Sequence, residues 1–154
     1  LEPILDHKLQ IAFERAGKPV YQLETAQEQV DIFNRLSLAD QVSFLRYSLE
    51  QQKHFDQYLA DMKRHYVNDD LDALQAQATE QMAATDGDYM DGLYQDLIDR
   101  RNLRMVDRMR ARLHEGNALI AVGALHLTGD YGIIAILRQL NYRVEPVLPS
   151  GTAR

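Results

Sequence analysis

The stretch NALIAVGALHLTGDYG, residues 117–132, narrows what this chain can fold into more than any other. Residues 118–122 form a short apolar run without charge and without polar alternation, which reads as a strand buried on both faces of a parallel sheet. The run stops at Gly123. His126 follows in a turn, and Thr128, Gly129 and Asp130 supply turn and capping residues before a helical pattern over residues 131–140. In open α/β sheets, ligands and catalytic groups gather at the carboxyl ends of strands, because the connecting turns and helix N-termini meet there. The pattern therefore places His126 at such a rim.

The rest of the chain supplies a second junction of the same kind. Leu5, Leu9, Ile11 and Phe13 predict an amphipathic helix capped by Gly17. Val20 to Leu23 reads as a short strand ending at Glu24, and Thr25 with Glu28 has the spacing of a capping box, so a helix starts at once and runs to Leu36. Two parallel strands would set Glu24 and His126 on one rim. Ser37 and Asp40 open a long helix reaching about His65, interrupted at residues 68–70 and followed by a shorter one over 71–84. Gly87 sits in a turn at 86–88, and the helical period returns from about Tyr89 to His114, closing at Gly116. Residues 142–147 read as the last strand and 149–154 as a loose tail. The expected fold is α/β: a small, mostly parallel sheet flanked by helices. It forms a single domain over residues 1–148, with a helical insertion at about 38–115 between strands.

Composition removes several classes of function. A chain of 154 residues can hold one domain with a hydrophobic core. With 17 basic against 23 acidic residues and a net charge of -6, no nucleic-acid-binding surface is expected. No apolar run approaches the length of a membrane span, and without cysteine there is neither a disulfide nor a thiolate nucleophile. The chain opens at Leu1 and is in helical pattern by Ile4, as expected of a piece of a longer protein.

The chemistry-bearing residues have competing readings. A single His after a strand is more often a hydrogen-bonded structural residue than a ligand, and an acid just before a helix favours the positive end of the helix dipole. The sharper reading is that Glu24 and His126 converge on a metal or a water, the smallest kit for hydrolysis. Arg101 and Asn102 interrupt the apolar stripe of the late helix, where Leu97, Ile98 and Met105 mark the core face. A guanidinium there needs a partner: either a structural salt bridge or a site at which it clamps an anion. His54 and His65 lack an HExxH arrangement, Ser43, Ser48 and Ser150 lack a nucleophile-elbow context, and no phosphate-binding loop or dinucleotide fingerprint occurs. The apolar stripe of the long helix from Leu38 needs a cover, and homodimerisation would supply one.

At these residues the chain resembles the TraB, PrgY and GumN family, to which the Tiki proteases also belong. The resemblance rests on Leu23-Glu24-Thr25 with Glu28-Gln29, on Arg101-Asn102, and on Val122-Gly123-Ala-Leu-His126-Leu127 with Gly129 and Gly132. Leu137 and Tyr142-Arg-Val-Glu-Pro146-Val147 continue it, so that it spans residues 5–147 and lies nearest the bacterial GumN-like branch. It implies a fold similar to erythromycin esterase and the haem-binding protein ChaN, with two Gly-x-x-His motifs and acidic residues forming a metal-dependent hydrolase site. One of those motifs is present, as Gly123 to His126. From the expected convergence of two strand ends and one Arg on the core face, His126 and Glu24 are read as metal ligands or bases and Arg101 as an oxyanion stabiliser or orienter of Glu24. The expected cofactor is a divalent metal (manganese, cobalt or zinc) that the isolated chain would not hold unaided, and the expected substrate is a peptide or small molecule. Export to the periplasm is a further implication. The alternative is a non-catalytic module that binds a small ligand or haem on the same rim.

Overall fold

The computed structural model describes residues 4–83 and 89–147; the turn expected at 86–88 and the tail at 149–154 lie outside the described residues. Helix α1 (Leu5–Arg15) ends in Gly17, whose φ of 67° closes the C-terminal turn. Helix α2 (Ala26–Asn34) opens on the capping box expected from Thr25 and Glu28: the Glu28 amide donates to Thr25 Oγ1 (3.2 Å) and the Thr25 amide donates to Glu28 Oε2 (2.8 Å). Ser37 caps helix α3 (Leu38–Gln51).

The long helix expected from Ser37 to about His65 is broken. A 3₁₀ turn at Gln52–His54 separates α3 from α4 (Phe55–Val67), because the backbone leaves helical geometry at His54 with φ −109° and ψ 3°. Helix α5 (Leu71–Ala83) packs against α4, and α6 (Tyr89–Tyr94) packs against α5. A single π turn, Gln95–Asp99, joins α6 to α7 (Arg100–Glu115). After a one-turn 3₁₀ helix, Ala124–His126, the last described helix is α8 (Ile133–Gln139), which packs against α7.

The α/β sheet expected from the sequence is absent: among the described residues there is no strand, and the erythromycin esterase- and ChaN-like sheet is not formed. A strand exists only by exchanging backbone hydrogen bonds with a neighbour. Residues 19–22 and 118–122 make no backbone–backbone hydrogen bond with any described residue, and residues 142–147 carry no strand either. The apolar run packs instead. Ile120 and Val122, two residues apart, lie with Leu23 against a core of Met105, Val106 and Met109 from α7 and Ile133 and Ile136 from α8. Leu119 points away and is 59% exposed, so the run is covered on one face where burial on both was expected. A second core joins Ile32, Met90 and Leu93.

Met109 lies 1% exposed at the centre of the α7–α8 core. Met109→Ala leaves a cavity there and is expected to lower stability by about 2–5 kcal/mol, read as a shift of the urea unfolding midpoint with unchanged slope.

Candidate functional site

Glu24, Arg101 and His126 line one cleft of about 860 Å³, together with residues 19–23 and 116–123. What gathers them is helix α7, rather than the paired strands expected. Arg101 Nε donates to both carboxylate oxygens of Glu24 at 2.9 Å, and its Nη2 donates to Oε2 at 2.7 Å. Its Nη1 donates to the Leu97 carbonyl at 2.7 Å, which fixes the guanidinium against the preceding π turn. Arg104 lies one turn on, with Nη2 3.7 Å from Glu24 Oε1. The Glu24 side chain is 4% exposed and that of Arg101 16%, so the pair is largely desolvated and each member needs the other.

The same face of α7 continues the grip. Arg108 donates to the Leu23 carbonyl (2.7 Å) and to both oxygens of Glu28 (2.5 and 2.9 Å). This contact, with the capping-box hydrogen bond from the Thr25 amide, brings the Glu28 pKa down to about 2. Arg112 stacks over the Tyr21 ring at 4.5 Å. The segment 21–28, unpaired as a strand, is thus tied side chain by side chain to one helix.

His126 is held from the adjacent position on that helix. Asn102 is fully buried, and its Nδ2 donates to the Tyr131 carbonyl at 2.8 Å. A carbonyl can only accept, so the amide nitrogen faces Tyr131 and the amide oxygen faces His126 Nδ1, 2.7 Å away. Nδ1 therefore carries a proton, and the lone pair of the neutral ring is on Nε2. Burial lowers the His126 pKa below its ordinary 6.5; Arg101 lowers it further, with Glu24 pulling the other way. The ring is thus neutral at pH 7, with one nitrogen able to accept a proton or a cation.

Glycine does its work later than the Gly-x-x-His spacing suggests. Gly123 has φ −62° and ψ 144°, which any residue adopts, and a Cβ there would meet only His126 Cδ2 at 3.7 Å. Gly129 has φ 77°, and a Cβ on Gly132 would lie 2.2 Å from the Thr128 carbonyl oxygen. These two shape the turn that brings the Tyr131 carbonyl to Asn102. Sequence reasoning assigned no role to Asn102, Arg104 or Arg108. The signal was the spacing of Arg101, Arg104 and Arg108 along one face, and a polar residue inside an apolar stripe.

As a metal centre, the described residues are incomplete. No group of three or more His, Asp or Glu side chains is placed to share an ion among them, whereas a structural or catalytic zinc takes three or four protein ligands. His126 Nε2 suits a divalent cation. Glu24 already spends three acceptor contacts on Arg101.

His126 is expected to titrate below 6.5, and Arg101→Gln to move its midpoint upward by removing a neighbouring positive charge. Because the folded value is depressed, the associated stability is present above the unfolded pKa and is lost as pH falls through the folded one. Ring proton NMR titration of both proteins measures this; a midpoint that stays put or falls in the variant contradicts it.

A model of the "TraB/PrgY/gumN family" matches residues 1–146. The chain is 27% identical to Metalloprotease TIKI2 of Danio rerio, over 96% of this chain and 33% of that protein. It is 29% identical to the Metalloprotease TIKI homolog of Nematostella vectensis, over 96% and 36%, and 29% identical to YbaP of Escherichia coli, over 87% and 47%. It thus spans a third to a half of the relatives it matches. No solved structure matches it. No helix among the described residues is long and apolar enough to cross a membrane.

Proposed function

The chain belongs to the TraB/PrgY/gumN family, and from that premise we propose that it carries residues of the site of a metal-dependent hydrolase of the peptidase kind. The observation that carries this reading is the joint placement of a neutral imidazole with a defined lone pair and a fixed guanidinium in one cleft. The metalloprotease names of several relatives support peptide as the substrate class and a divalent metal as the cofactor. Residues 118–122 support it too: their backbone groups lack backbone partners among the described residues and border the cleft, as suits an extended peptide binding by strand addition.

In this reading His126 acts through Nε2 as the base toward the attacking water, and Asn102 holds the tautomer that leaves that nitrogen unprotonated. Arg101 faces the negative charge that develops on the carbonyl oxygen of the scissile bond. Glu24 orients Arg101 and keeps it desolvated at no net charge cost. A bound divalent metal would polarise the carbonyl or lower the pKa of the water. The described residues do not complete its ligand set. The exposed row Leu38, Val42, Leu45 and Leu49 on α3 supports a homodimer as the assembly.

The test is hydrolysis of a quenched fluorescent peptide library by the purified protein, with manganese, cobalt or zinc supplied in turn. His126→Ala is expected to cut the metal-dependent rate by about 10²–10⁴-fold, the usual worth of a positioned base. A rate that survives in a folded His126→Ala protein contradicts the assignment.

A further inference from the structure

A second, partly open cavity of about 330 Å³ is lined by residues of α3, α4, α5, the α6–π-turn segment and Leu125. It shares no lining residue with the first. Its size falls at the lower end of the range for small-molecule sites, roughly 300–1,000 Å³. Among the described residues no Asp, Glu, Lys, Arg or His lines it, while five aromatic side chains do: Phe44, Tyr47, Phe55, Tyr58 and Tyr94.

The polar groups in the wall are all uncharged: the hydroxyls of Tyr47, Tyr58 and Tyr94 and the amides of Gln51 and Gln81. Tyr47 donates to the Gln81 carbonyl at 2.6 Å, and Gln81 Nε2 donates to Gln51 Oε1 at 3.2 Å. That leaves the Gln51 amide nitrogen and the Gln81 side-chain oxygen without a partner among the described residues, one a donor and one an acceptor. Burial and the neighbouring Tyr47 push the Tyr58 pKa up, so its hydroxyl stays neutral as well. A charged guest would lose its hydration against this wall and gain no counter-ion.

We propose that this cavity binds a small, uncharged, largely apolar molecule bearing one carbonyl or hydroxyl group, which the Gln51–Gln81 pair recognises. The site adjoins the cleft through two residues. Leu125 immediately precedes His126 in the same one-turn helix, and Leu97, whose carbonyl holds Arg101, also lines the cavity. A guest therefore touches the two segments that position His126 and Arg101, and its arrival is felt at the imidazole.

The experiment uses N-phenyl-1-naphthylamine, an uncharged fluorescent probe, titrated into the protein and displaced with 1-octanol. Saturable fluorescence that octanol reverses is expected. The anionic analogue 1-anilinonaphthalene-8-sulfonate is expected to bind at least about tenfold more weakly, because its charge has no partner in the wall. Ala78→Phe places a ring in the cavity and is expected to abolish binding of the neutral probe. Should that variant not fold, Leu125→Phe enlarges another lining side chain and serves the same purpose. Bound octanol is also expected to shift the ring proton resonances of His126. Absence of saturable binding, equal affinity for the two probes, or undiminished binding in a folded cavity-filled variant would each overturn the proposal.

Discussion

The ion pair between Arg101 and Glu24 is the constraint on which the rest of the site depends. Three short hydrogen bonds join two side chains that are nearly out of solvent, so neither can leave without stranding a charge. Such a pair contributes geometry more reliably than stability, since desolvation offsets much of its attraction. Here the geometry is the position of residues 21–28, which have no sheet to hold them. Arg104, Arg108 and Arg112 extend the same contact along α7, reaching Glu24, the Leu23 carbonyl with Glu28, and the Tyr21 ring.

The next residue of the helix does the complementary work. Successive helical positions point about 100° apart, so Arg101 and Asn102 face different neighbours from one turn of backbone. Arg101 turns to the segment before α2, and Asn102 to the turn before α8, where it bridges the Tyr131 carbonyl and the His126 ring. The acid and the imidazole, remote in sequence, meet a common cleft because one helix holds both segments. In both contacts the buried polar atoms have partners: Asn102 Nδ2 and Oδ1 and Arg101 Nε are each hydrogen-bonded, as their surroundings demand.

Much of this was legible in the sequence where the information is local. The Thr25–Glu28 capping box, the Gly17 helix end, the turn carrying His126 and the oddity of Arg101-Asn102 in an apolar stripe all depend on residues within a turn or two of each other. The sheet was misread because residues 118–122 state an apolar, strand-like preference and say nothing of a partner to pair with. Ile120 and Val122 meet helices instead, and Leu119 faces outward. The continuous helix through residues 52–54 was misjudged for a related reason. A 3₁₀ break leaves no periodic mark, while the glycines that the turn requires, Gly129 and Gly132, lie beyond the motif. The role of Asn102 needed coordinates, since its two partners lie 24 and 29 residues away.

The most direct measurement is a double-mutant cycle on folding stability with Glu24→Gln, Arg101→Gln and the combined variant. If the pair anchors residues 21–28 to α7, the two substitutions are strongly non-additive, with a coupling of about 1–3 kcal/mol. Additive effects within about 0.3–0.5 kcal/mol would mean that the side chains do not meet, and the shared cleft would lose its physical basis.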